Sequence, residues 1–576
     1  MRRLPGAKIE MRGTKVKEQK NTGRVSWLRG AAVLGIAAVM SKLLGTMQKI
    51  PLQNLAGDGV FGIYNAVYPL YILILFLATA GFPATVSKFV SEKAALGDHY
   101  GALRVAKVSG ILLMVTGLFF FGILYTCAAD IAALIGVPAA SNAIRSISFA
   151  LLLVPSLSVM RGYFQGYQNM VPTAVSQVIE QVVRVITLVA LLLYFLHAGF
   201  SDEWIAAGAT FGSVTGAVGG FGSVTGAVGG LVAVCWFWRG QKKIFSTEWN
   251  RKGNLESNRE SIWKLIKQIT AYAIPICLGA IVMPILNLVD TFTIPRVLQL
   301  EGASISEAVR VFGLYNRGLP LVQAVVMIAS AMTAVLVPAI AEARVRGRVD
   351  QVQSRTEFSV RLTWIIGLAA SVGLAALSVP INIMLFRNSE ASLTMAILAF
   401  TAVFSMMNVV TSSLLQGAGA LYAPALHLLA ATLIKVAGNL WLMLRYGING
   451  AAAAAVLAYA AAAGLNIVQL KRCTGAAFAL RDFAARPIAA VAAMTASLPL
   501  WVYGSIALCT LLPMKERVIY TVAALVGVLG GTAVYALALF RFRVLTRSDL
   551  HSVPALEKKL APILAKLNLL PEERRP

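Results

Sequence analysis

The sequence predicts an all-α polytopic membrane protein of about 14 transmembrane helices, built as two six-helix repeats plus two C-terminal helices. Three observations carry this. The 576-residue chain is 58% hydrophobic and 13% charged, with mean hydropathy +0.74, whereas soluble domains run roughly 45–50% apolar and about 25% charged. Fourteen apolar runs are long enough to cross a bilayer core of ~30 Å as helix. A motif also recurs: Val60–Asn65 reads V-F-G-I-Y-N and Val311–Asn316 reads V-F-G-L-Y-N, 251 residues apart.

The same offset relates Gln165-Gly166 to Gln416-Gly417, Pro69 to Pro320 and Arg184 to Lys435. The chain is therefore a duplicated unit in one chain order. After Tyr-Asn the first copy has Ala66 and the second has Arg317.

In order, the segments are 27–48, 61–82, 105–127, 145–165, 172–196, 204–238, 269–291, 312–340, 361–386, 392–416, 424–445, 448–470, 486–511 and 518–540. They are too long, and lack the period-two alternation, for membrane strands. The implied organisation is a basic tail (1–26), a six-helix lobe (27–238), a linker (239–268), a second lobe (269–470) and two further helices (486–540). A tail segment, 549–570, has Leu550, Val553, Leu556, Leu560, Ile563 and Leu567 on one helical face. It suits a helix lying in the headgroup layer or one packing on nearby loops.

Residues 211–220 recur unchanged as 221–230, which makes 204–238 too long to span with ordinary tilt. A local tandem duplication tolerated as excess is one reading; a Gly-rich helix-packing segment is the other.

With residues near segment ends counted in the adjoining loop, as Arg161 is, 39 of the 51 Lys and Arg fall in the tail and in every second loop, eight in the opposite loops and four inside segments. By the positive-inside rule both termini are cytoplasmic. Six spans per repeat keep both lobes in one orientation, so a two-fold axis along the membrane normal relates them, with a site at their interface. The net charge of +26 would suggest nucleic acid in a soluble protein; here it belongs to loops at one bilayer face, and nucleic acid is not expected as a partner. The five cysteines are scattered without C-x-x-C spacing, which predicts neither disulfides nor metal. The first ~26 residues lack the apolar core of a signal peptide.

Charged side chains in hydrocarbon cost a few kcal/mol and are functional candidates. Lys42 lies within the first span; Lys49 is seven residues on, two turns and roughly 10 Å away on the same face. Lys49 can also snorkel at the outer end. Gln177, Glu180, Gln181 and Arg184 give the fifth span a polar stripe, and Glu180 can pair with Arg184 at i,i+4. Lys435 has Ala431 where such an acid would be, and Arg317 opens the eighth span. Acids in the spans reduce to Glu180 and Asp290, so the cavity should attract an anion rather than a drug cation. Asn287 with Asp290 is the one pair to consider for ion coupling. Prolines 69, 83, 155, 275, 284, 320 and 338 invite broken helices or simple packing. No G-x-x-x-x-G-K-[S/T], H-E-x-x-H or G-x-S-x-G motif is present, and no cofactor is implied.

S-K-L-L-G from Ser41, G-F-P-A-T-V-S-K-F-V-S-E from Gly81 and R-G-Y-F-Q-G-Y-Q-N-M-V-P-T-A-V-S-Q-V-I-E-Q from Arg161 resemble a known family. It comprises the polysaccharide-biosynthesis transporters of Gram-positive bacteria, including stage V sporulation protein B and YtgP-like members. These belong to the multidrug/oligosaccharidyl-lipid/polysaccharide superfamily and are relatives of the MurJ lipid II flippase. The resemblance implies a MATE/MurJ-like arrangement of two lobes around a V-shaped cavity. It also implies cavity-facing roles for Lys42 and Arg317 in binding a substrate diphosphate. The family's second-span arginine has no match in Pro69-Leu-Tyr-Ile-Leu, which leaves Lys49 or Arg184, with Lys435, as further candidates.

The resulting expectation is a plasma-membrane flippase, not an enzyme, for an undecaprenyl-diphosphate-linked saccharide, lipid II first among them. Its partners would be that substrate, the phospholipid bilayer and the cell-wall synthesis machinery. The alternatives are a flippase for another wall, spore or capsule precursor, a MATE-type drug or metabolite exporter, a membrane glycosyltransferase, and a non-transporting scaffold.

Overall fold

The computed structural model describes residues 33–79, 81–225, 261–420, 422–478, 485–542 and 544. The basic tail, most of the linker, the last five residues of the tandem copy and the 549–570 segment lie outside these ranges.

The described residues form a nearly all-helical bundle. The first repeat contains α1 (33–47), α2 (Lys49–Thr79), α3 (Phe82–Ala95), α4 (His99–Thr126), α5 (Ala128–Ile135), α6 (Ser141–Ser148), α7 (Ala150–Gly166), α8 (Val171–His197) and α9 (Asp202–Thr225). The second contains α10 (Ile262–Leu300), α11 (Ile305–Asn316), α12 (Leu319–Val345), α13 (Val349–Ala376), α14 (Ser378–Phe386), α15 (Ser392–Ala399), α16 (Thr401–Gly417), α17 (Ala423–Tyr446) and α18 (Ile448–Thr474). Then follow α19 (Arg486–Thr510) and α20 (Glu516–Arg541), which pack together and against α13 and α14. Among the described residues, 11 helical stretches are long and apolar enough to cross a membrane.

Several boundaries differ from the expected pattern: the runs expected at 145–165, 361–386 and 392–416 are each two helices, broken at Phe149, Leu377 and Phe400. The interval between the first two apolar runs is helical, not a loop, and its direction changes at Gly57 (φ 79°, ψ 179°), a conformation open to glycine. The run expected at 312–340 is two helices, α11 and α12, meeting at Arg317–Gly318. Pro69 and Pro155 instead lie inside continuous helices. In the first copy the chain bends at glycines within and after α2, since Gly81 is also left-handed (φ 78°).

The bundle has a basic end, with Lys93, Arg104, Arg346 and Lys471 around the turns after α3, α12 and α18, and an opposite, far end. Hydrophobic packing differs between them. At the far end one core contains both repeats, with Phe61, Tyr64, Ile144 and Leu188 joined to Ile294, Phe312, Tyr315 and Ala452. Two further cores are distinct from it. One joins Val86, Val90 and Tyr163 to Ile269 and Ala273 of α10; another joins Ile340, Val360, Met406 and Leu414 within the second repeat. One core thus spans both halves of the chain, a second joins the first half to α10, and a third lies within the second half. Helix α10 straddles them: its first half packs on α3, α4 and α7, while Leu286 packs on Leu428 and Ala458.

The duplicated motif makes the far-end junction. Gly62 lies against the Val309 carbonyl, and Gly313, its counterpart, lies against the Asp58 carbonyl. A methyl at either glycine would overlap backbone, so the two copies cross where only glycine permits their approach. In α9, methyls at Gly212 and Gly216 would stand 2.8 and 2.7 Å from the Arg184 and Glu180 carbonyl oxygens. The first copy of the tandem repeat is therefore a helix-packing surface against α8.

Candidate functional site

The predicted charges lie on α1, α2, α8, α10 and α17 and at the α11–α12 joint. Lys42 on α1 is exposed at the bundle surface and has no hydrogen-bond or ion-pair partner among the described residues. Three residues on, Gly45 faces the fifth-span stripe: a methyl there would stand 3.2 Å from Gln181 Oε1. The buried oxygens Ser41 Oγ, Gln177 Oε1 and Gln181 Oε1 have no partner in this conformation. Helix α1 and the Gln177/Gln181 face of α8 thus meet, with Lys42 beside that meeting.

The other predicted cations are buried. Arg184 Nη2 donates to Glu180 Oε1 at 2.9 Å, the expected i,i+4 pair, and Nη1 reaches the Tyr68 hydroxyl at 3.4 Å. Glu180 also accepts from Arg161 Nη2 at 2.8 Å. Arg161, counted in the sequence as a loop residue, therefore joins an Arg–Glu–Arg triad.

Lys435 has no acid one turn before it in sequence, yet it finds one across helices. Its Nζ donates to Asp290 Oδ2 at 2.8 Å and to the Leu286 carbonyl at 3.1 Å. Asp290 also accepts from the Tyr315 hydroxyl at 2.9 Å and Asn439 Nδ2 at 3.1 Å. Asn287 is exposed on α10 while Asp290 is buried, so the candidate coupling pair is not assembled; the carboxylate turns to Lys435 instead.

Arg317 does not face an open cavity, as the resemblance implies it should. In this conformation it is only 1% exposed, held at the α11–α12 joint. Its Nε donates to Asp58 Oδ1 at 2.8 Å and Nη2 donates to Asp58 Oδ2, while Nη1 reaches Asn382 and Asn388. Asp58 is a third carboxylate inside the bundle, missed because its segment reads as a loop. The signal available was its position directly after Gly57 and before the V-F-G motif. Lys49 does not snorkel: it is buried, and Nζ donates to Asn65 Oδ1 at 3.2 Å.

Further ties close the far end. Asn54 donates to the Leu385 carbonyl, and Arg296 and Gln299 at the end of α10 donate to carbonyls of Ala133, Leu134 and Gly136 at the α5 terminus. A cation there complements the helix C-terminal dipole. Among the described residues no cluster of three or more His, Cys, Asp or Glu could hold a metal.

The protein is a multi-pass membrane transporter rather than an enzyme. The chain belongs to the polysaccharide biosynthesis protein family, whose model matches residues 27–344. It is 31% identical to membrane protein YabM of Bacillus subtilis (strain 168), over 92% of this chain and 95% of that one. It is 28% identical to the lipid II flippase MurJ of the same organism, over 87% and 93% of the two chains. Among solved structures it is similar to lipid II flippase MurJ in its inward closed conformation, with TM-score 0.61, 12% identity, and coverage of 89% of this chain and 100% of the other. That last likeness speaks to fold alone.

Proposed function

We propose that this protein is a flippase for a lipid-linked saccharide precursor carried on a diphosphate. The observation that carries the reading is the state of the cations. Arg184, Arg317 and Lys435 hold carboxylates, whereas Lys42 stands exposed and unpaired beside the meeting of α1 with α8. The carboxylates Asp58, Glu180 and Asp290 inside the bundle are each taken by a cation, which argues against a cavity built to collect cationic drugs.

In this reading the basic end faces the cytoplasm of a bacterium and both termini lie there. The headgroup enters between the lobes, and Lys42 receives the diphosphate while the lipid tail stays in the bilayer. The far end then parts, which requires the Asp58–Arg317 pair and the Gly62/Gly313 crossing to separate. Lipid II is the first candidate substrate, by relationship to the flippase relative; other wall, spore or capsule precursors share its diphosphate.

Transport needs no nucleotide. A diphosphate carries roughly two negative charges, and each charge crossing 100 mV is worth about 2.3 kcal/mol. Outward movement from a negative interior is therefore downhill by about 4–5 kcal/mol per 100 mV. The test is exposure of a fluorescent diphosphate-linked saccharide in proteoliposomes with an imposed potential. Protein-dependent exposure that rises with inside-negative potential supports the reading; exposure equal to protein-free vesicles removes it.

A further inference from the structure

Lys49 differs from the other buried cations. It is 6% exposed, and its one hydrogen bond is to the neutral carboxamide of Asn65, itself held by the Phe61 carbonyl at 2.8 Å. None of the ion pairs of the described residues includes Lys49. The nearest acid in its own helix, Asp58, is committed to Arg317, and Glu180 on neighbouring α8 is committed to two arginines. A buried ammonium with one neutral acceptor is a costly arrangement, and in a membrane bundle it marks function by default.

Its location indicates what the charge is for. Lys49 lies seven residues beyond Lys42, about 10 Å along the helical path toward the far end. Its partner Asn65 follows Gly62 by three residues, on the side of α2 that α11 crosses. Lys49 is thus covered beside the seam that must part for the far end to open, while Lys42 is already exposed.

We propose that Lys49 is a second diphosphate station. With the seam closed, its ammonium rests on Asn65; when the lobes part, it takes the diphosphate from Lys42 and holds it at the opened mouth. The inference rests on the anionic-substrate reading above, and it assigns the outward half of the path to a residue distinct from the inward half.

The test uses the full-length protein in proteoliposomes and a fluorescent undecaprenyl-diphosphate disaccharide. Binding from the basic end and exposure at the far end are measured separately. Lys49→Met, which keeps chain length and removes charge, should bind within twofold of wild type but expose the lipid at least tenfold more slowly. Lys49→Arg should retain most exposure, and Lys42→Ala should lose binding. Lys49→Gln provides the same contrast if Lys49→Met does not accumulate. The proposal is overturned if the neutral variants expose lipid at the wild-type rate, or if they lose binding as Lys42→Ala does. A wild type that moves no diphosphate-linked lipid removes the transport reading itself, and this station with it.

Discussion

Arg317 and Asp58 stand 259 residues apart in sequence and form a two-point ion pair that joins the repeats at their shared end. The pair is buried, with side-chain exposures of 1% and 11%, and the arginine's third nitrogen is satisfied by Asn382 and Asn388. Such a pair locks one conformation, because separating it strands two charges.

Arg317→Ala leaves Asp58 buried without its cation. Removing one partner of a buried pair costs about 3–5 kcal/mol, so thermal unfolding in detergent should fall by several degrees. The far end should also open more often, read as faster thiol labelling of a cysteine placed at Val309. The exchange Asp58→Arg with Arg317→Asp should recover part of both effects, and a double-mutant cycle isolates the coupling.

Asp290 is occupied by the Lys435 ammonium. Transport at a fixed membrane potential should therefore not change when sodium replaces potassium. Lys435→Ala should destabilise the protein by a similar amount, about 3–5 kcal/mol, and Asp290→Asn combined with Lys435→Met should restore most of that loss. Sodium-dependent transport by wild type would show that the pair opens to an ion.

Gly62→Ala and Gly313→Ala place a methyl into the crossing backbone. Each should hold the far end apart, raising thiol labelling there and reducing transport severalfold, with little change in membrane level. Gly35→Ala, whose methyl meets nothing within 4 Å, is the control.

Glu180 balances Arg161 and Arg184. Glu180→Gln should lower thermal stability by a few kcal/mol, since two guanidinium groups lose their shared anion. Adding Arg184→Leu should restore part of it.

The nearly all-helical, membrane-spanning character and the Arg184–Glu180 pair were legible in the sequence, because long hydrophobic runs and i,i+4 spacing are local signals. The partners of Arg317 and Lys435 were not. Asp58 and Asp290 reach them across helices from 259 and 145 residues away, and no periodicity encodes that approach. The repeat did not help either. At the 251-residue offset Asp58 aligns with Val309, and Asp290 with Val39, so each copy satisfies its charges by its own means. The helical stretch from Lys49 to Ala56 was obscured because Gln53, Asn54, Gly57 and Asp58 read as turn chemistry, although the chain continues through them as helix to the bend at Gly57.

The most direct measurement is rescue of a bacterium depleted of its own lipid II flippase, with outward exposure of lipid II quantified for wild type and for Lys42→Ala at equal membrane levels. The account predicts that wild type restores exposure and Lys42→Ala does not. Full exposure by Lys42→Ala would contradict the role given to the one exposed, unpaired cation among the five candidates, and a well-expressed wild type that restores none would exclude lipid II as the substrate.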